Sequence, residues 1–432
     1  MKLFLPSNYT CVRVNTLFKN IDEVQLLLQN FINTQCNERS LDSLKVLKHD
    51  KVDDCLVVPT KFYPKRDILS KYIVVDYLCG MAVIRGANIY YQGILCAPCT
   101  LERGDTVSVF VDLSKKCLKG SKSYEGIKLF LGNGCCHMSR KDIFKQNFDL
   151  KSTLAVEMKQ PIFHNPSLNN VLSSNIFLQN LPSLVAGLVV GAQPHETVLD
   201  MCAAPGGKST HLYAQMKGTG SLVVIDRSKT KLSRIHQNFE KLYESKYKEN
   251  VKVISLNSSI LSPEICQSRG IPKQYDRILL DTPCSALGQR PRLYSDTMIT
   301  DHIKTYPILQ RNLLKAAVSL LKYEGTLVYC TCTTTIDENE NMVAWLLENF
   351  PEMQLAIQKP FVGDFGRSSG CRLSEEQLKM LQYFHMVEGT CITHNKLNFV
   401  PTYQLEDYEL FLNKCCVDTN AFFIAKFIKN KH

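Results

Sequence analysis

Apolar and polar positions follow three successive rhythms along the chain. YTCVRVNTL (Tyr9 to Leu17) predicts a strand, and IDEVQLLLQNFI (Ile21 to Ile32) carries helical periodicity with acidic residues in its first turn. LVVPTKF (Leu56 to Phe62) is a second strand candidate, so a small α/β unit opens the chain and ends at the basic break Pro64-Lys65-Arg66. From about Ser70 to Phe144 the apolar runs become short and glycine divides them: MAVIRGANIYYQGILC, GDTVSVFVD and IKLFLGNG. β-rich runs spaced by turn residues predict a compact barrel-like module. Past Leu150 helices alternate with β-branched strands. SNIFLQNLPSLVAGLVV (Ser174 to Val190) reads as a helix, and the strands ETVLDM, GSLVVID, VKVISL, DRILLD and GTLVYC follow. KTKLSRIHQNFEKL and ILQRNLLKAAVSLLK are helices between them. That alternation predicts a doubly wound sheet, with YELFLNKC and AFFIAKFI as antiparallel edge strands. The expected partition is 1–68, 69–150 and 151–432.

Composition narrows the class. A chain of 432 residues with 45% hydrophobic content suffices for two or three cored domains. A net charge of +10 suits a polyanion such as RNA, although a solubility surface would look similar. Eighteen cysteines without a secretion-type N-terminus fit reduced thiols in a cytoplasmic protein better than a disulfide framework. No apolar run reaches the roughly 18 to 20 residues of a membrane span.

Candidate chemistry gathers at strand ends. VLDMCAAPGGKST (Val198 to Thr210) is a strand, a small-residue turn and a basic helix start, and Gly206 and Gly207 permit close backbone approach of a ligand. It lacks the GxGxxG pattern and the phosphate-loop spacing, which favours a nucleoside over a pyrophosphate. Asp226 ends VVIDRS, where an acid accepts ribose hydroxyls or caps the next helix. DRILLDTPCSALGQR ends in Asp281, Pro283 and Cys284; YCTCT brings Cys330 and Cys332 to the same sheet edge. A thiol near positive charge, for which Lys208 is a source, can act as a thiolate nucleophile. Cys96-x-x-Cys99 has no second pair or histidine group and reads as structural, so no metal is expected.

The segments RVNT, FLQNLPS, DMCAAPGGKS, VIDRSKTK, DRILLDTPCSALG, YCTCTTTIDENE and FFIAKF together resemble the Sun-domain family of RNA cytosine-5 methyltransferases. The β-rich insertion resembles a PUA domain, an arrangement similar to the family's PUA-containing tRNA enzymes. Those act on cytidine 72 of the acceptor stem, chiefly in cysteine and threonine tRNAs, with the PUA domain holding the CCA end. The resemblance implies an α/β fold: a Rossmann-like core using S-adenosyl-L-methionine, a small N-terminal α/β extension and an inserted β-barrel PUA domain. It implies Cys332 as the nucleophile at cytosine carbon 6, Cys284 as the residue assisting breakdown of the covalent product, Asp281 at ring nitrogen 3 and Lys208 as its orienting partner. The base that removes the carbon 5 proton stays open among Cys284, hydroxide and a water chain.

On the cofactor side the resemblance implies Cys202, Ala203, Ala204, Pro205, Gly206, Gly207 and Lys208 beside the methionine part and Asp226 on the ribose. Lys231 follows in the same helix, and Asp281 completes the set. Asn257 stands where an aspartate commonly contacts adenine; its amide oxygen can still accept, without the charge-assisted gain. Cys330 replaces a commoner serine and is expected to be only a neighbour of matching size. Asp337 and Glu338, with Asn339 nearby, are expected to cap the following helix. Arg85, Tyr90, Lys116, Lys119 and Arg140 are the expected RNA contacts, in a surface also carrying Lys115, Lys122, Lys141 and Tyr91. Gln92, where proline is common, implies a looser turn. No obligate protein partner is expected. Two alternatives stand beside this reading: a noncatalytic tRNA-binding protein, and the same chemistry on ribosomal or messenger RNA.

Overall fold

The computed structural model describes residues 6–63, 65–145, 153–293, 300–386, 392–393, 396–397 and 419–431. YELFLNKC lies outside them.

The largest sheet lines up the strands Val251–Ser255, Ser221–Asp226, Thr197–Asp200, Tyr275–Asp281, Leu321–Thr331, Phe422–Lys429 and Met353–Leu355 in that spatial order. The first five are parallel, and AFFIAKFI supplies the antiparallel member against Leu321–Thr331. Strands such as LVVI and ILL are apolar on both sides because helices cover both faces, with Leu184, Val185 and Phe239 on one and Leu313, Leu314 and Leu346 on the other. Thr197–Asp200 is the first of the parallel strands in the chain, and its successors pair on opposite flanks. A crevice therefore opens at the carboxyl ends of Thr197–Asp200 and Tyr275–Asp281.

The N-terminal strand Tyr9–Val14 lies between Cys55–Pro59 and Ile176–Leu178 in a four-stranded antiparallel sheet. Helix Ile21–Glu38 covers it through Val24, Leu28, Ile32 and Cys36, the four-residue spacing that sequence periodicity implied. SNIFLQNLPSLVAGLVV is not one helix. Its first part is the strand Ile176–Leu178, and the helix begins only at Leu181. The break is local: Asn180 accepts the Ser183 amide at 3.0 Å, and Pro182 fits the first turn where no amide donor is needed.

The inserted sheet has the order Ile89–Tyr90, Leu154–Pro161, Lys128–Cys136, Thr106–Asp112, Tyr72–Val75 and Ile94–Cys96 and curls into a nearly closed barrel. MAVI, expected in a β run, belongs to the helix Tyr77–Ile84, whose start Asp76 caps by accepting the Cys79 amide at 2.8 Å. Leu154–Pro161 lies past residue 150 yet pairs inside the barrel, and the chain leaves and re-enters through paired strands Lys61–Phe62 and Phe163–His164. No helix among the described residues is long and apolar enough to cross a membrane.

Candidate active site

Parallel pairing sets Asp281 opposite Cys330 at the carboxyl edge. The loops beyond then converge. The Thr282 amide donates to the Cys330 carbonyl at 3.1 Å and the Gly288 amide to the Cys332 carbonyl at 2.9 Å. This stitching brings the Cys284 and Cys332 sulfurs to 3.4 Å, although 48 positions separate them. Asp281 is gripped from two sides. Lys208 Nζ donates to Oδ2 at 2.7 Å and to Ser183 Oγ at 3.2 Å, and the Cys330 thiol faces Oδ1 at 3.4 Å. Cys330, expected only to match serine in size, is therefore a hydrogen-bond donor to the site.

Electrostatics separates the thiols. Cys284 donates its S–H to Cys332, and this holds the Cys332 thiol below its ordinary pKa despite burial and the nearby Asp281 charge; Gln289 and Lys208 add to the effect. The same bond, with burial, drives Cys284 far upward, so of the two thiols Cys332 is the readier to lose its proton. Burial also pushes Cys330 well up and Asp281 adds to it, leaving it a neutral donor. At Lys208 burial opposes the charge, but the Asp281 carboxylate together with the neighbouring Cys330 and Cys332 outweighs it and the ammonium persists. Iodoacetamide should accordingly label Cys332 before Cys284. In Cys284→Ala the pH midpoint of Cys332 labelling should move up, because the bond favouring its thiolate is lost; mass-spectrometric labelling rates between pH 6 and 10 would read this, and an unmoved midpoint would contradict the assignment.

Of the residues expected beside the cofactor, most lie in the turn between strand Thr197–Asp200 and helix Gly207–Gln215 and in the first residues of that helix. Gly206 adopts φ 98°, a left-handed conformation that favours glycine, at the start of helix Gly207–Gln215. Asp226 accepts the Ala204 amide at 3.0 Å and the Ser228 amide at 2.9 Å, one on each oxygen. It thus helps order the next helix start while each oxygen keeps acceptor capacity for a hydroxyl. Asn257 uses its amide oxygen locally, accepting from the Ser259 amide at 3.2 Å and hydroxyl at 2.9 Å. Lys231 is exposed on the helix Lys229–Tyr243. Gly207 is needed for packing: a Cβ there would lie 2.9 Å from the Phe177 ring.

Several residues that hold this site carried no functional expectation. Buried Arg13, from RVNT, donates to the Gly207 carbonyl at 2.6 Å, Thr210 Oγ1 at 2.8 Å and Gln179 Oε1 at 2.8 Å, pinning the helix that carries Lys208. Asp200 lies fully inside, where burial raises its pKa to about 7, and Ser209 donates to one of its oxygens at 2.6 Å. Asp337 and Glu338 do not act as expected, because Asn339 begins helix Glu340–Asn349 without a side-chain cap bond. Asp337 accepts from Asn341 at 3.0 Å, and Glu338 turns inward to Ser285. The signal that could have pointed inward is an acid beside two amides, ENEN, directly after the thiol motif.

On the barrel, Tyr90, Lys116 and Lys119 are exposed, and Lys119 donates to the Gln92 carbonyl at 3.3 Å, fastening the turn where proline is absent. Arg140 points into the fold. Its guanidinium donates to the carbonyls of Ala97, Ser121 and Gly120, so it braces the lysine loop. Arg85 borders a cavity of about 460 Å³ whose other walls include Tyr9, Gln179, Gln289 and Arg290, joining the barrel to the neighbourhood of Cys332. The described residues hold no cluster of side chains suited to a metal ion.

A glycine turn followed by an acid at the next strand end, beside a thiol pair with an acid–ammonium partner, defines a class: methyltransferases that bind S-adenosylmethionine on a Rossmann-like sheet and work through cysteine. The residues there fit that cofactor, because Asp226 keeps acceptor capacity on both oxygens beside the glycine turn. Residues 188–391 match the family model of the 16S rRNA methyltransferase RsmB/F. The mouse tRNA (cytosine(72)-C(5))-methyltransferase NSUN6 is 40% identical over 99% of this chain and 89% of its own length. The rRNA (cytosine-C(5))-methyltransferase NOP2C of Arabidopsis thaliana is 28% identical over 98% of this chain and 86% of its own. Among solved structures, NSun6 from Pyrococcus horikoshii with SFG superposes with a TM-score of 0.73 at 27% identity, covering 99% of this chain and 92% of that one. The chain belongs to the Sun-domain family of S-adenosylmethionine-dependent RNA (cytosine-5) methyltransferases.

Proposed function

We propose that the protein forms 5-methylcytidine at position 72 of the tRNA acceptor stem, chiefly in cysteine and threonine tRNAs, with the barrel holding the CCA end. The observation that carries the chemistry is the 3.4 Å thiol pair beside the Lys208–Asp281 ion pair. Carbon 5 of cytosine is a weak nucleophile, and a thiolate adding at carbon 6 makes it enamine-like. Cys332 supplies the thiolate. Asp281, held by Lys208 and Cys330, meets ring nitrogen 3 and stabilises the charge that builds there as the sulfur adds by carrying a proton or sharing one with the Lys208 ammonium. Bound S-adenosylmethionine would supply an electrophilic methyl group; Cys202 to Gly207 and Asp226 hold it, with Lys231 and Asn257 at the margin. Cys284 assists release of the product.

Substrate choice rests on the module inserted between Lys61–Phe62 and Phe163–His164. Residues 69–150 with the strand Leu154–Pro161 make the RNA-holding unit of this reading, and the mouse and human relatives matched over nearly the whole chain are tRNA enzymes. Arg85, Tyr90, Lys116 and Lys119 grip the RNA end, phosphates fixing register and the tyrosine stacking, while Arg140 supports their loop. Extraction of the cytidine from its stack costs less near a helix end. The Arabidopsis relative favours a second reading, the same chemistry on ribosomal RNA. Radiolabelled methyl transfer to unmodified tRNA transcripts, with and without CCA, separates the two. Label in 5-methylcytidine 72 that disappears on CCA removal is the expected result; label in ribosomal fragments alone would move the substrate.

A further inference from the structure

We propose that Glu338 is a positioning residue that clamps the two thiol-bearing loops at their working separation. Its carboxylate is fully buried. Oε1 accepts from Ser285 Oγ at 2.6 Å and Thr335 Oγ1 at 2.8 Å, and Oε2 accepts from the Ser285 amide at 3.0 Å and Gln310 Nε2 at 3.0 Å. Gln310, also buried, donates to the Pro283 carbonyl at 3.0 Å. Both chain neighbours of Cys284 are thus tied to a residue of the loop that carries Cys332. No lysine or arginine pairs with Glu338 among the described residues. A buried carboxylate is costly, and four neutral donors converge to offset that cost. Glutamine has the same size but only one acceptor oxygen, so its amide N–H₂ would oppose the donors of Ser285 or of Gln310.

The consequence falls on product release, and this inference rests on the two-thiol mechanism proposed above. After methyl transfer a base takes the carbon 5 proton. That C–H pair becomes the second bond between carbons 5 and 6, and the carbon 6–sulfur pair returns to Cys332 as thiolate. Cys284, 3.4 Å away, donates its S–H to the emerging thiolate. A displaced Cys284 loop leaves the adduct standing.

The test compares the full chain with Glu338→Gln and with the milder Ser285→Ala, which removes one donor and keeps the clamp's charge. Two readouts are taken. Diamide, which accepts two protons and two electrons from a thiol pair, reports the rate of Cys284–Cys332 disulfide formation without RNA. Gel analysis in detergent reports protein–RNA adduct with tRNA transcript and S-adenosylmethionine. In Glu338→Gln, disulfide formation should slow about tenfold and adduct should accumulate several-fold while cofactor binding stays within about twofold, as expected for misplacement of a reacting group by a fraction of an ångström; Ser285→Ala should move the same way by less. Wild-type disulfide rates in both variants would overturn the clamp. If the unmodified enzyme methylates no RNA, the mechanism fails on its own, and the diamide comparison still decides on Glu338.

Discussion

Cys332→Ala should abolish methyl transfer, by on the order of 10⁴-fold or more, since loss of a covalent nucleophile leaves only binding and positioning. Cys284→Ala should behave differently. Its partner thiol is gone but the nucleophile remains, so the covalent RNA adduct should accumulate and turnover should stall after the first methyl transfer. A single experiment distinguishes them: incubation with tRNA transcript and labelled S-adenosylmethionine, followed by denaturing gels and digestion to nucleosides. Cys332→Ala is expected to give neither adduct nor 5-methylcytidine. The reverse pattern, adduct in Cys332→Ala and none in Cys284→Ala, would exchange the two roles, despite the electrostatics that favour ionisation of Cys332 over Cys284.

The second large effect is expected far from any reacting atom. Arg13 is buried among Gly207, Thr210 and Gln179, and its guanidinium also faces the Asp54 charge. Arg13→Met fills most of the volume but strands these acceptors, at a cost of about 3–5 kcal/mol in stability. Because Gly207 opens the helix that carries Lys208, cofactor affinity should fall with it, by about tenfold for the loss of one ordered turn. Urea denaturation and calorimetric titration with S-adenosylmethionine measure both. Unchanged affinity in a destabilised variant would make Arg13 a packing residue alone.

The same cluster sets a pH dependence. His211 Nε2 lies 2.8 Å from Asp54, and burial lowers the His211 pKa although Asp54 opposes this. Its folded pKa therefore lies below the unfolded value of about 6.5, so acid protonates the unfolded chain first and stability falls as pH drops through that value. Asp54 acts in the same direction at lower pH: burial raises its pKa, but His211 and Arg13 outweigh it and hold it below the ordinary carboxylate range. Urea midpoints should decline from pH 7.5 to 5.5, and the slope should flatten in His211→Asn. A midpoint rising with acid would show that the imidazole is charged in the folded state.

Strand-end chemistry was legible in the residues themselves. DTPCS and YCTCT each end an apolar run, so the topology of a doubly wound sheet suffices to gather Asp281, Cys284, Cys330 and Cys332 at one edge. The glycine turn and Asp226 follow the same logic, one βα unit apart. Element type was legible wherever periodicity ran long, as in Ile21–Glu38 and Lys229–Tyr243. It failed where a short apolar run had two uses: MAVI joined a helix because Asp76 caps it, and SNIFL became a strand because Tyr9–Val14 offered an open edge.

What the chain determines by itself is the identity and order of the reacting groups, because each lies at the end of a locally encoded strand and needs only that strand to be placed. Tertiary structure alone decided which thiol ionises more readily, that Cys330 donates to Asp281, that Arg13 pins the Lys208 helix and that Glu338 faces inward to Ser285. Those outcomes depend on hydrogen bonds between residues tens to nearly two hundred positions apart, such as Arg13 to Thr210 across 197 positions. No periodicity or motif records the angle and burial at which such partners meet; folding sets both.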